Sequence, residues 1–431
     1  MDLQLKPLFL DNVFSTGFKT IPLPPLARFA IHGPSRAVSA VVIEASRDLS
    51  TAQQKLGVAT KCTPRNARVP SVPSHKALPS SRGAAHGCQL FSFELPLCNF
   101  HPSPKQQLSS NLKMPKYVLT GADGNLGGVA ADFAVEIAKP EDELVFTSYT
   151  LDSIPADKLK RWEDKGVKVV AASYDDPETL KPVFQGAEAV SFISTWLIGD
   201  RRRSQAKNAI EAAKATGVKR ICYTSGAGAG VKADTEEDIP FLLRDHHYIE
   251  QLIYASGLQY NIQRNCLYAD NIPNFFAPSW KFCGDKWLTN SHGQKGCYVS
   301  RDDCGRVLAS MLLGKGEPNT VYEITGREPV SHEEIFEWMC SQSGYKGELV
   351  DMPDEELKKW WLDRGLPKDV YGDFSQLPMK LCIGDLLCSG EMVANGCMMP
   401  PSDAVEKLTG RKPTHWKDAM IKYKDIFPKS E

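Results

Sequence analysis

No apolar run in this sequence reaches the roughly 18 residues that a membrane-spanning helix requires, and no membrane partner is expected. None of the twelve cysteines lies in a C-x-x-C pair, which removes the usual zinc and dithiol motifs. No metal is expected. Cys266, Cys304 and Cys340 sit in apolar patterns and read as buried thiols, as in a reduced, cytoplasmic protein. An excess of one charge is missing as well: 51 Lys and Arg stand against 52 Asp and Glu. The spread is uneven. Residues 1–113 carry 13 basic and 5 acidic residues, the remainder 38 and 47. The later part is therefore mildly acidic and lacks the basic footprint of a nucleic-acid partner.

Residues 1–113 also lack sustained hydrophobic periodicity. They hold 12 of the 29 prolines and Ser-rich patches such as 71–81. Such a stretch cannot bury enough apolar surface to offset the entropy of ordering it. Asp2 and Asp11 argue against a transit peptide, and the absence of a basic start with a compact apolar core argues against a secretory signal. The expectation is a disordered leader or a mis-assigned start, with the folded chain beginning at Met114.

What is present begins a few residues later. The run Tyr117-Val118-Leu119-Thr120 stops at Gly121-Ala122-Asp123-Gly124-Asn125-Leu126-Gly127, after which Val129, Phe133 and Ile137 keep helical spacing. This is strand, tight loop and helix with glycines at G-x-x-G-x-x-G. The first permits the turn, the second lets backbone approach a pyrophosphate, and the third lets helix and strand pack closely. Phosphate would meet free N–H groups at a helix N-terminus, where the helix dipole favours negative charge.

Strand and helix patterns then alternate. Strands are predicted over 144–148, 167–171, 189–194, 220–224 and 258–263, and helices over 155–165, 177–184, 201–216 and 241–255. Repeated strand–helix units imply a doubly wound parallel α/β sheet of Rossmann type over 114–270, with ligands at the carboxyl ends of the strands. Ribose recognition belongs at the end of the second strand, where Ser148 stands without a neighbouring Arg or acid, so NAD(H) and NADP(H) both remain open. Asp175, after the third strand, suits the adenine edge. Ser194 and Thr195, after the fourth, suit a site over the cofactor. Arg201-Arg202-Arg203 reads as a phosphate site or, more simply, a solvated helix start. Residues 271–431 show mixed α/β patterns, including a capping box at Ser331 and Glu334, and are expected to build a smaller substrate side. The stretch 384–396 shows no clear period.

Five segments carry a family likeness: Leu119–Gly127, Ala212–Ser225, Ile249–Gly257, Arg264–Asn271 and Val321–Gly326, joined by Ser402–Gly410 near the end. From Met114 to about Phe427 the chain resembles the NmrA-like branch of the atypical short-chain dehydrogenases, in particular the NADPH-dependent quinone oxidoreductases of type 2. The resemblance implies NADP(H) or NAD(H) in the glycine loop, with Asn125 and Leu126 near the pyrophosphate. It also implies Ser194, Thr195 and Tyr268 at the nicotinamide end. Members of the family include reductases and redox-sensing regulators that bind dinucleotide without turning it over. Two positions depart from the pattern. The strand-two Arg of NADPH-using members is Ser148 or Tyr149 here. The Tyr-x-x-x-Lys pair of classical relatives falls on Leu242 and His246.

Hydride transfer to a carbonyl needs a donor for the developing oxyanion. His246 and Tyr268 are the catalytic candidates, with His247, Tyr223 and Ser225 behind them. His246 and His247 point about 100° apart on a helix, so at most one faces a cleft. Tyr268, Phe275, Phe276 and Trp280 read as core or as the walls of an apolar pocket. The leading expectation is an NAD(P)H-dependent oxidoreductase for a small quinone-like or aromatic carbonyl substrate. The alternative is a non-catalytic dinucleotide sensor that acts through a protein partner. An isomerase or dehydratase with bound cofactor is the third reading.

Overall fold

The computed structural model describes residues 114–430, and the expectations for the leader at 1–113 lie outside them. The chain alternates strand and helix from the start. β1 (Lys116–Leu119), α1 (Asn125–Ile137), β2 (Glu143–Ser148), α2 (Ala156–Glu163), β3 (Lys168–Ala171) and α3 (Pro177–Phe184) form the first half. β4 (Ala189–Ile193), α4 (Asp200–Ala215), β5 (Arg220–Gly226), α5 (Phe241–Ala255) and β6 (Gln259–Asn265) form the second. α6 (Ser279–Phe282), β7 (Lys286–Thr289), β8 (Lys295–Gly296), α7 (Arg301–Leu312), β9 (Thr320–Ile324), β10 (Val330–Ser331) and α8 (His332–Ser343) follow. β11 (Glu348–Asp351), α9 (Asp354–Leu362), α10 (Ile383–Ala394), α11 (Ala404–Thr409) and α12 (Trp416–Ile421) complete it.

Seven parallel strands in the order β3-β2-β1-β4-β5-β6-β9 make the main sheet, the Rossmann arrangement expected. Alternate side chains feed two cores, because successive residues of a strand face opposite ways. Val118, Val145, Phe192 and Ile262 pack under α3, α4 and α5. Leu119, Phe146 and Cys222 pack with α1 and α7. α1 and α7 cross closely: a Cβ on Gly305 would lie 2.9 Å from the Leu126 carbonyl oxygen and from Val129.

β9 extends the sheet beyond β6, and α7 returns to pack on α1. Past β6, Tyr268 forms one isolated parallel bridge with Val299. The unreadable stretch at 384–396 is α10. It is buried around most of its circumference, through Ile383, Leu386, Cys388, Met392 and Val393, so it shows no amphipathic stripe. Gly384 and Gly390 allow this. Side chains there would collide with Phe241 and Asn290, at 2.5 and 2.0 Å.

Candidate active site

The glycine loop divides its labour as its spacing implies. Gly121 turns with φ at +67°, in the left-handed region. Gly124 precedes α1 in extended conformation, its N–H donating to the Gly121 carbonyl at 3.1 Å. Gly127 lies so close that a Cβ would stand 1.9 Å from the Gly121 oxygen. Ala122 is tied under the loop, its N–H donating to the Thr147 carbonyl, while Asp123 and Asn125 are exposed and Leu126 anchors the helix in the core. No side chain caps α1 and its first turn holds no acid, which leaves its N–H groups free for an anion. The cradle therefore fits a dinucleotide pyrophosphate.

The next three strand ends surround this loop. Ser148 is buried, and its hydroxyl donates to the Thr150 carbonyl at 2.8 Å. Asp175 accepts from the Arg201 guanidinium at 2.9 Å and from the Gln205 amide at 3.1 Å. The Arg201 bond, first among several causes, holds the Asp175 carboxyl below its ordinary range. Gln205 also accepts from the Thr195 hydroxyl at 2.6 Å, so one α4 side chain links the Asp175 and Thr195 positions. Ser194 adjoins the Tyr223 phenol on β5.

His246 lies beside Tyr223, with Nδ1 and the phenol oxygen 2.7 Å apart. Burial, and then the charge of Arg202, push its imidazole down to about 3, so it is neutral at working pH. His247 points away and bonds the Ala229 carbonyl. The arginine triplet is not the solvated helix start expected. Arg201 pairs with Asp175, and Arg203 pairs with Asp245 and Glu236. Arg202 is buried, its Nε donating to the Thr195 carbonyl at 2.6 Å. A helix N-terminus repels cations, and here acids folded against α4 hold them instead.

Tyr268 stands past the end of β6, where its phenol oxygen accepts from the Asn265 amide at 3.1 Å. The Arg301 guanidinium lies 5.2 Å from the centre of its ring. Burial raises its pKa, so the phenol keeps its proton. With Leu267, Phe276, Trp287, Tyr298, His332 and Ser389 it lines a cavity of about 20 Å³. Trp280 is core, stacked on Trp287 and fully buried. No hydrogen bond or ring contact joins Tyr268 to His246 among the described residues.

Several members of the site had no signal in the sequence. Tyr174 sends its phenol to Thr120 below the glycine loop. Gln205 was unremarkable on a polar helix. His332 is buried between Thr289 and Tyr298 and stacked on Trp287, which only tertiary contacts can arrange. α10 brings Ser389 to the cavity. The run Arg201-Arg202-Arg203 was visible, but not the separation of its members.

Residues 121–313 match the NAD(P)H-binding family model. The chain is 25% identical over 307 residues to an NmrA-like family domain-containing oxidoreductase of Aspergillus flavus, covering 68% of this chain and 94% of that protein. It is 26% identical over 299 residues to quinone oxidoreductase 2 of Escherichia coli, covering 69% and 94%. Among solved structures it resembles the NADPH-dependent quinone oxidoreductase of Escherichia coli in complex with NADPH. That likeness has a TM-score of 0.58 at 24% identity and covers 72% of this chain and 99% of that one. A triphenylmethane reductase of Citrobacter sp. gives a TM-score of 0.57 at 23% identity, covering 72% and 99%. Both structural likenesses establish the fold.

Proposed function

We propose that this chain, whose residues 121–313 match an NAD(P)H-binding model and which is similar to an NmrA-like oxidoreductase, is a reductase of small quinone-like or aromatic carbonyl compounds. One observation carries the reading. The glycine cradle follows the carboxyl end of β1, and Tyr268 with the aromatic residues around it follows the carboxyl end of β6, at the same edge of an all-parallel sheet, where such folds hold their ligands. The curated relatives named above are an oxidoreductase and a quinone reductase, in keeping with it.

Gly121 to Gly127 would hold the pyrophosphate through backbone N–H groups, and Ser148 and Asp175 would flank the adenosine. Ser194, Thr195 and Tyr268 would border the nicotinamide. When bound, the dinucleotide supplies a hydride, two electrons with one proton, and is left oxidised. The chain's own residues position an aromatic acceptor and exclude water. Tyr268 has one lone pair engaged by Asn265, which leaves its O–H to donate to a substrate oxygen. Leu242 and His246 stand at the Tyr-x-x-x-Lys spacing on α5, and neutral His246 supplies no charge there. A quinone tolerates this, because its reduced anion is delocalised over the ring. Residues 271–431, through Phe276, Trp287, His332 and α10, make the substrate side.

The missing pair also favours a second reading, a dinucleotide sensor without turnover. Titration of the purified chain with NADPH and NADH by fluorescence, followed by a panel of quinones, separates the two. Binding with quinone-dependent oxidation of NADPH is expected. Tight binding without oxidation leaves only the sensor. Failure to bind either dinucleotide removes both.

A further inference from the structure

We propose that Gln263 and Asn265 are positioning residues. They form a one-way chain of amide hydrogen bonds, anchored on the Cys304 carbonyl, that keeps the Tyr268 proton free to meet an acceptor oxygen on the substrate. The role in turnover rests on the reductase reading above; the direction of the chain does not.

β6 is an interior strand, paired with β5 on one side and β9 on the other. Strands in that place are ordinarily apolar on both faces. β6 instead carries an amide at every second position, Asn261, Gln263 and Asn265, so all three share one face. Each is at most 6% exposed. Buried amides are costly unless they are bonded. Asn261 serves the architecture, its amide donating to the Glu317 carbonyl at 2.6 Å, ahead of β9. The other two lead to Tyr268.

Their direction follows from chemistry. A backbone carbonyl oxygen only accepts. The Gln263 atom 3.1 Å from the Cys304 oxygen is therefore the amide nitrogen. That nitrogen lies 2.9 Å from a terminal atom of Asn265, which must then be Oδ1. Asn265 Nδ2 is left to face the Tyr268 oxygen, and it donates there at 3.1 Å. The reverse arrangement would set Gln263 Oε1 against the Cys304 oxygen, two acceptors 3.1 Å apart. In the chain as it stands Oε1 has no partner, so both Gln263 hydrogens are committed to this one direction. The Tyr268 proton finds no acceptor among the described residues. The ring is held as well. The Ala269 N–H donates to the Val299 carbonyl at 2.9 Å, the Val299 N–H to the Leu267 carbonyl at 3.1 Å, and the Arg301 guanidinium lies 5.2 Å from the ring centre. Hydride addition to a quinone leaves negative charge on an oxygen, and solvent supplies the second proton. A donor oriented beforehand stabilises that charge without reorganising.

The test uses the full chain and Asn265→Asp, which is nearly isosteric. Its carboxylate still accepts from Gln263 and now also takes the Tyr268 proton, turning the O–H inward. With NADP⁺ present, calorimetric titration should show duroquinone, which only accepts, binding roughly tenfold or more weakly. Durohydroquinone under argon, which can donate, should change less than about twofold. Quinone kcat should fall on the order of fiftyfold in Asn265→Asp, and less than about threefold further when Tyr268→Phe is already present. Gln263→Leu frees Asn265 to flip and should reproduce part of the effect, which keeps the test decisive if the Asp variant unfolds. Equal loss for both probes, no loss, no duroquinone binding by wild type, or the same fall in kcat with and without the Tyr268 hydroxyl overturns the proposal. Probe discrimination without quinone-dependent NADPH oxidation would sink the reductase reading and leave the chain of bonds. Full turnover by Asn265→Asp would do the opposite.

Discussion

The two ends of the carboxyl edge of the sheet are built in different ways. The β1–α1 end is a backbone device: seven consecutive residues, a positive φ at Gly121, and a close approach at Gly127 that leaves no room for a side chain. The β5–β6 end is a side-chain device. Arg202, Tyr223, His246, Tyr268, His332 and Ser389 come from six different segments, and burial sets their charges. The first end offers uncapped backbone N–H groups to an anion. The second depends on elements distant in sequence.

The sharpest way to break the comparison is Gly127→Val. Its branched side chain collides with the Gly121 carbonyl, and a loss of about 4 kcal/mol of stability together with dinucleotide binding is expected. Urea unfolding and NADPH fluorescence measure both. A variant that still binds would show that the cradle is not a rigid backbone device.

His332→Asn probes the other end. Burial holds His332 at about 3 in the folded chain, against 6.5 as its ordinary value. Between those values the unfolded chain takes up a proton that the native chain refuses, so stability falls as pH drops from about 6.5 towards 3. His246 contributes with the same sign. The buried acids Asp303 and Asp385 are raised and act oppositely, losing stability as pH climbs through their range. The substitution should cost about 2 kcal/mol near neutral pH through its lost bonds to Thr289 and Tyr298. It should also flatten the acid slope by about one proton. Urea midpoints from about pH 4 to 7 report the slope, and an unchanged slope would show His332 protonating freely.

Tyr149→Arg restores a cation at the end of β2, where the native side chain is 70% exposed. A shift of about tenfold towards NADPH over NADH, or ~1.4 kcal/mol, is expected from paired titrations. No shift would mean that a side chain elsewhere already reads the 2′-position. The smallest structural change is Tyr268→Phe. It gives up the bond from Asn265 for at most about 1 kcal/mol, while quinone turnover should drop on the order of a hundredfold. Normal turnover would remove Tyr268 from the chemistry.

The sequence alone was enough for the glycine cradle, the alternating elements and the parallel sheet. Each of these is local: a turn chemistry, a 3.6-residue or two-residue period, a cap such as Asp176 or Ser331. Spacing also placed Ser194, Thr195 and Asp175 at strand ends. It could not show that Gln205 joins the last two, or that Arg202 alone of three arginines is buried. Nor could it show α10, whose burial on most sides erases the polar stripe that marks a helix. Those features depend on which segments meet after folding. Local pattern determined the scaffold and the dinucleotide cradle, and tertiary structure, by burying or pairing each charge, decided which side chains are left to meet a substrate.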